Sequence, residues 1–449
     1  MPMATLFLFF ALAHPLLAAA PATQPTKPLN VIIIGADTLR ADHLDLYGYK
    51  HPTSPNLDRL AARGVVFDRV FSQGSYTLSS FASLFTSRYA EQHHAVSKFT
   101  AISDSETMLA EVFQKAGFRT AGFTGGPNLA LQYGFGKGFD TYLSGDLPRR
   151  MDAYIPVALK WIQKDRAKPF FLFIQPQDVH PPFDVLELPE SERDRWDPGD
   201  HEQTERFMGA FYFFKAFNGD SYAENKPEPS GWLKREIEAA AKDPRTGRHM
   251  ASIYDDRVAH LDASLGRFFA ELERLGVMEN TVIVLLSDHG TLFGEGGKFA
   301  HGMHMSTHDG IFHVVLAIWA PGLAPRRVSS LAELVDVGPT LLELTGLPKP
   351  EPFEGRSLVP LLRGQEDVQE RPVFGTATAT WNDSGAMRHY VRDSRWKFVS
   401  DEPGGKTALY DLRADAEETR DVSDADPETA KRLAGILARH LRRLSSRSD

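Results

Sequence analysis

Three apolar runs in this chain end in acidic or imidazole side chains, and a fourth stretch is crowded with hydroxyls. "LNVIIIGAD" (29–37) closes on Asp37 and continues through "TLRAD" to Arg40 and Asp42. "FFLFIQPQDVH" (170–180) closes on Asp178 and His180. "TVIVLLSDHG" (281–290) closes on Asp288 and His289, with His301, His304 and His308 soon after. Asp37, Asp288 and His289 together have the composition of a divalent-cation site, hard carboxylate oxygens with an imidazole nitrogen. A hydroxyl bound to such an ion loses its proton more easily and becomes a nucleophile. "SYTLSSFASLFTSRY" (75–89) supplies hydroxyls. It reads either as a capped helix start or as the source of an attacking oxygen.

The elements that must carry these residues alternate. Each apolar, β-branched run reads as a strand buried on both faces. Between them lie helical segments: "SPNLDRLAARG", with Ser54 as N-cap, Pro55 at N1 and Gly64 as the stop; "TMLAEVFQKAG"; the long "ASIYDDRVAHLDASLGRFFAELERLG"; and "LAELVDVGPTLLELTG". Strand then helix, repeated, implies an α/β fold: a large, mostly parallel sheet sandwiched by helices. In such a sheet ligands bind beyond the carboxyl ends of the strands, where these polar residues sit. Residues 184–248, rich in Pro, Gly, charge and aromatics, break the alternation and read as an insertion, a lid or a surface excursion. From about 371 to 449, short strand-like pieces and a final amphipathic helix read as a small C-terminal α+β subdomain. Residues 29–370 are then the main domain.

With 449 residues, 42% hydrophobic and 24% charged, the composition is that of a globular protein with a large core. A net charge of -9 excludes wholesale neutralisation of a nucleic-acid backbone. The absence of cysteine excludes disulfides, thiolate metal sites and a Cys nucleophile. The apolar stretch Leu6–Ala20 has the length of a secretory core rather than of a membrane span, and small residues follow it. The expectation is a signal peptide over 1–22, a linker over 23–28, and an exported (periplasmic or secreted) protein with no transmembrane span afterwards.

"NVIIIGADTLRADHLDLYGY", "SPNLDRLAARGVVFDRVFSQGSYTLSS", "SDHGTLFGEGGKFAHG", "LVDVGPTLLELTGLP" and "FEGRSLVPLLRG" resemble the sulfatase family of the alkaline phosphatase superfamily. "RWKFVSD" to "ALYDLRADAEETRDV" resembles that family's C-terminal subdomain. The resemblance implies that Asp37, Asp288, His289 and the Thr77 hydroxyl hold one divalent metal ion. Manganese or zinc is favoured over calcium or magnesium because a nitrogen donor is present. It also implies that His180 and His301 contact substrate oxygens or protonate the leaving group. His304 is a further substrate contact or a supporting residue. Arg40 either adds positive charge or makes a structural ion pair. His93, at a position where the family often has a histidine, is open between the two roles, and His308 and His313 read as structural.

One departure is decisive. Where the family carries Cys-x-Pro-Ser-Arg, or Ser for Cys, this chain reads Thr77-Leu78-Ser79-Ser80-Phe81. Thr is not converted to formylglycine, so none is expected, and the Arg of that motif is Phe81. A formylglycine hydrate has one hydroxyl to attack sulfur and another to expel sulfate. Thr has one, which suits in-line attack on phosphorus. The reading is a metal-dependent hydrolase of phosphate-type esters (diester, monoester or phosphonate), on a small-molecule, glycan or lipid-linked anionic substrate. Alternatives are a sulfatase proper, a phosphotransferase, and a non-catalytic binding protein on the same fold.

Overall fold

The computed structural model describes residues 28–181, 188–197, 242–302, 305–365, 370–378, 386–401 and 405–447, with positions 208, 235 and 239. The expected signal peptide, nearly all of the linker, His304 and most of the 184–248 insertion lie outside the described residues. An eight-stranded sheet forms the centre. In spatial order its strands are Arg326–Val328, Val65–Phe67, Leu316–Trp319, Thr281–Ser287, Asn30–Ala36, Phe170–Gln175, Arg119–Thr124 and Thr141–Ser144. Every ladder is parallel except the two made by Leu316–Trp319, which runs antiparallel to both neighbours. The sheet is thus mixed.

Alternation along the central strand explains the sandwich. Ile32 and Ile34 face a core shared with the helices Met151–Lys164 and Pro244–Arg274. Val31 and Ile33 face a second core shared with the helices Thr77–Thr86, Leu109–Lys115 and Val337–Leu344. All four side chains are fully buried, each worth about 1.5–3 kcal/mol relative to exposure. Gly35 is what lets the Thr77–Thr86 helix settle onto this strand, since a Cβ there would stand 2.7 Å from the Phe81 ring. The long helix begins at Pro244, earlier than its apolar periodicity indicates. Asp243 caps it by accepting from the Arg245 N–H, and Pro244 takes N1.

The helix Pro55–Ala61 forms where expected, but Ser54 does not cap it with its hydroxyl. That hydroxyl is donated to Asp45 Oδ1. The first N–H groups of the helix, on Asn56 and Leu57, instead reach the carboxylate of Asp262 from the long helix, at 2.9 and 2.8 Å. A carboxylate accepts backbone donors more strongly than a hydroxyl does, and tertiary contact brings one here.

The C-terminal part is a four-stranded antiparallel sheet of Val373–Thr378, Met387–Arg392, Trp396–Asp401 and Thr407–Asp411. Leu433 and Leu437 of the helix Pro427–Ser445 pack against Val391, Phe398 and Leu409. Two devices join it to the larger part. The wholly buried Lys397 bonds Asp309 Oδ1 and Glu418 Oε1, both at 2.8 Å, and Arg392 pairs with the same Asp309. The strand Val373–Thr378 also lies along the segment before Thr77: Thr376 N–H donates to the Gln73 carbonyl at 3.1 Å, and Thr378 N–H to Ser75 Oγ at 3.4 Å.

Candidate active site

Strand register sets the site. Ala36 stands opposite Ser287 in a parallel ladder, so the next residues, Asp37 and Asp288, leave the sheet side by side. Between Asp37 and Leu39 the chain turns through Thr38 at φ +61°, left-handed backbone that a β-branched residue rarely adopts. The strain, on the order of 1–3 kcal/mol, is held on both sides. Tyr254 Oη donates to the Thr38 carbonyl at 2.8 Å and accepts the Arg40 N–H at 2.7 Å. The turn aims the Thr38 N–H at Asp288 Oδ1, at 3.1 Å.

Each carboxylate is tethered by one oxygen. Asp37 Oδ2 accepts from Gln175 Nε2 at 2.8 Å and Gln177 Nε2 at 2.7 Å. Asp288 Oδ1 accepts from the Thr38 N–H and from the His289 N–H at 2.8 Å. The other oxygens, Asp37 Oδ1 and Asp288 Oδ2, are buried with no hydrogen-bond partner among the described residues. His289 Nδ1 lies 2.9 Å from the Gly290 carbonyl, which can only accept, so Nδ1 carries the proton and Nε2 keeps its lone pair. That Nε2 is 3.9 Å from Asp37 Oδ1, 3.3 Å from Asp288 Oδ2 and 3.3 Å from Thr77 Oγ1. The ligand atoms of Asp37, Asp288 and His289 all lie within 4.8 Å of one another.

The electrostatics follow from burial. Desolvation, reinforced by Asp288, pushes the Asp37 carboxyl up to about 7. Desolvation does the same to Asp288, also to about 7, against the pull of the Thr38 and His289 N–H groups. Burial lowers His289. Orphaned acceptor atoms of this kind, fixed by neighbours and converging on one point, fit a divalent cation.

Thr77 is the first residue of its helix and is buried. Gly74 allows the tight approach, since a Cβ there would meet Ser79 Oγ at 2.2 Å. Ser79 and Ser80 stand at the helix start but do not cap N–H groups: Ser79 Oγ donates to the Tyr76 carbonyl at 3.1 Å and Ser80 Oγ to the Asp288 carbonyl at 2.7 Å. The Ser80 bond ties the Thr77 helix to the Asp288 strand end. Phe81, where the family has Arg, is turned away into the core, edge-on to Phe173.

The His301 ring is tilted against that of His289, with centroids 4.5 Å apart, and the His180 ring meets His301 edge-on at 4.9 Å. His301 is therefore next to the ligand residue His289, and His180 is next to His301. Arg40 has its guanidinium in structural work: Asp42 takes two bonds at 2.9 and 2.7 Å, Glu295 one at 2.6 Å and the Thr291 carbonyl one at 2.7 Å. His93 bonds Ser83 Oγ at 3.0 Å, His308 accepts the Gly310 N–H at 2.9 Å, and His313 bonds the Asp68 carbonyl at 2.9 Å. Asp178 accepts the Met151 N–H at 2.8 Å. Sequence reasoning missed Gln175, Gln177, Thr38 and Tyr254. For the glutamines a signal exists, two amides bracketing Pro176 at the end of an apolar run. For Tyr254, one aromatic among many on a long helix, there is none.

Metal-type ligands converge beyond the strand ends of a mixed sheet, with a hydroxyl beside them, and the chain belongs to the sulfatase family. The family described as "Sulfatase" matches residues 29–347, and "N-sulphoglucosamine sulphohydrolase, C-terminal" matches residues 300–447. Arylsulfatase K of Gallus gallus is 32% identical over 198 residues, 42% of this chain and 36% of the relative, so the match spans about a third of that protein's length. Arylsulfatase K of Bos taurus is 23% identical over 91% of this chain and 81% of the relative. Among solved structures, the phosphonate monoester hydrolase of Agrobacterium radiobacter shares the fold, with a TM-score of 0.72 at 23% identity, covering 94% of this chain and 96% of that one.

Proposed function

We propose that this sulfatase-family protein is a metal-dependent ester hydrolase in which the Thr77 hydroxyl attacks phosphorus, taking the place of formylglycine. The observation that carries the reading is the position of Thr77 Oγ1, 3.3 Å from His289 Nε2 at the start of its helix, beside two buried carboxylate oxygens that have no hydrogen-bond partner among the described residues. Asp37, Asp288, His289 and Thr77 would hold one divalent ion, which when bound lowers the pKa of a hydroxyl and polarises a non-bridging substrate oxygen. The imidazole ligand favours manganese or zinc.

The chain's own residues do the rest. Gln175 and Gln177 hold Asp37, and Thr38 holds Asp288, so neither carboxylate must reorganise when substrate arrives. Thr77 Oγ1 forms the bond to phosphorus as the ester oxygen departs. His180 or His301 gives the departing oxygen its proton, a task suited to imidazole near neutrality. The imidazole that gave its proton then takes one from the water that attacks phosphorus, the bond from phosphorus to Thr77 Oγ1 breaks, and Thr77 Oγ1 leaves to be reprotonated from solvent. The single hydroxyl is the reason for choosing phosphorus: a sulfated Thr has no second hydroxyl to expel sulfate, whereas a phosphorylated one is cleared by in-line attack. The arylsulfatase names of the relatives favour a second reading, sulfate-ester hydrolysis at the same site.

The test is a panel of aryl sulfate, aryl phosphate monoester, diester and phosphonate monoester on manganese- or zinc-loaded protein, each repeated with Thr77→Ala. Phosphorus-ester turnover that falls by at least about 10³-fold in the variant is the expected result. Dominant sulfate turnover refutes the choice of phosphorus, and unchanged turnover in the variant refutes the nucleophile.

A further inference from the structure

Two imidazoles, His180 and His301, stand for one task, protonating the departing oxygen, and the chain around His301 is built to hold that ring still. His301 follows a β-hairpin whose strands are Leu292–Phe293 and Phe299–Ala300. Leu292 stands opposite Ala300 in an antiparallel ladder, so the next pair outward is Thr291 and His301. Thr291 is 1% exposed, and its Oγ1 lies 3.3 Å from His301 Nδ1, the one hydrogen-bond partner of that hydroxyl among the described residues. Both members of the pair are fixed from behind. The Gly290 N–H donates to the Ile311 carbonyl at 2.7 Å, and a Cβ on Gly290 would stand 2.1 Å from the Gly310 carbonyl oxygen. Arg40 Nη1 donates to the Thr291 carbonyl at 2.7 Å and to Glu295, in the hairpin turn, at 2.6 Å. On the other strand Ala300 sits at φ +62°, left-handed backbone that sets the direction in which the chain enters His301, as Thr38 does beside Asp37. A hydroxyl can donate or accept, so Thr291 keeps its bond to Nδ1 whether or not that nitrogen carries a proton.

We propose that Thr291 is a positioning residue: by engaging Nδ1 it fixes the His301 ring so that Nε2 delivers the proton to the departing ester oxygen. The Nε2–H bond breaks as that oxygen leaves phosphorus and Thr77 Oγ1 bonds to it, and His180 holds a substrate oxygen instead. The proposal deepens the phosphorus-ester reading and rests on it.

The test compares wild type with Thr291→Val, which keeps the shape and loses the hydroxyl, and Thr291→Ser, which keeps the hydroxyl. Each is loaded with manganese and given the 4-nitrophenyl and phenyl esters of phosphate, methyl phosphate and methylphosphonate, with inorganic phosphate as competitive inhibitor. Nitrophenolate departs unaided, whereas phenolate needs the proton. In Thr291→Val, kcat/KM for the phenyl esters is expected to fall about 10- to 100-fold and for the nitrophenyl esters by no more than about threefold. Serine should restore most of the phenyl-ester rate. The phosphate inhibition constant, the melting temperature and the manganese titration should match wild type. With the wild type active, an equal fall on both leaving groups, or no fall on either, overturns the Thr291 assignment alone. A parallel loss of melting temperature or metal affinity overturns it in favour of a structural role. A wild type that cleaves none of these esters removes the phosphorus-ester reading, and this assignment with it.

Discussion

Replacing Asp288 by Asn should stabilise the chelated protein at pH 8 while removing its response to metal. Asp288 and Asp37 both have carboxyls raised from 3.8 to about 7, chiefly by burial. A shift of about three units corresponds to about 4 kcal/mol held against folding once the group is ionised. The sign follows from linkage: a raised folded-state pKa gives stability that is full below the unfolded value near 4 and is lost as pH rises through about 7. At pH 8 the metal-free wild type therefore carries the whole cost. Asn keeps the acceptor for the Thr38 and His289 N–H groups and removes the charge. With about 2.1 cal/mol/K of unfolding entropy per residue, a 449-residue chain turns 4 kcal/mol into an increase of about 4 °C in the melting temperature. Calorimetry or thermal-shift scans in chelator at pH 8 and pH 5 should show the full gain at the first and less than half of it at the second, because the cost builds up between the unfolded and folded values. Adding manganese or zinc at about 100 Kd should stabilise wild type by about 2.7 kcal/mol and the variant by far less. A pH-independent loss of stability in Asp288→Asn would refute the reasoning, because it would make Asp288 a structural acceptor and not a reserved ligand. So would an undiminished metal response.

Further outcomes test other parts of the same framework. Tyr254→Phe removes the hydroxyl that bridges Thr38 and Arg40 and should weaken divalent-ion affinity about tenfold, measured by competition with a chromophoric chelator; unchanged affinity would show that the strained turn holds itself. Lys397→Met leaves Asp309 and Glu418 buried against one cation fewer and should cost about 3–5 kcal/mol, read as a drop in the denaturation midpoint that no pH between 6 and 9 restores. His440 is buried and held down to about 4. Because the unfolded chain binds that proton from about 6.5, stability should fall as pH drops from 6.5 towards 4, by up to about 3 kcal/mol; His440→Phe should flatten that limb of a pH–stability curve.

The ends of the strands were the legible part of this sequence. Asp37, Asp288 and His289 follow apolar runs too hydrophobic for anything but a doubly covered sheet, and the rule that such sheets bind at their carboxyl edge collects them into one place. What brings them within 4.8 Å is the Ala36–Ser287 register, which no local pattern encodes. The same applies to direction. Leu316–Trp319 is as apolar as its neighbours, and a strand buried on both faces looks alike whichever way it runs. Ser54 shows a different limit: local capping rules favour its hydroxyl, yet Asp262, over two hundred residues away, takes the helix N–H groups. Tyr254 depends on the same kind of distant placement.

The strand Val373–Thr378 lies against Gln73 and Ser75, the residues that lead into Thr77, across about three hundred positions of chain. The Thr77 turn is therefore braced by a segment synthesised about three hundred residues after it. A nascent chain can fold much of the central sheet before that segment exists, but its nucleophile turn stays unbraced until then. Closing loops of this length comes late and slowly in folding. Chemical competence should thus follow the formation of the central sheet, and a chain cut near residue 370 should keep most of the sheet while its nucleophile is poorly held.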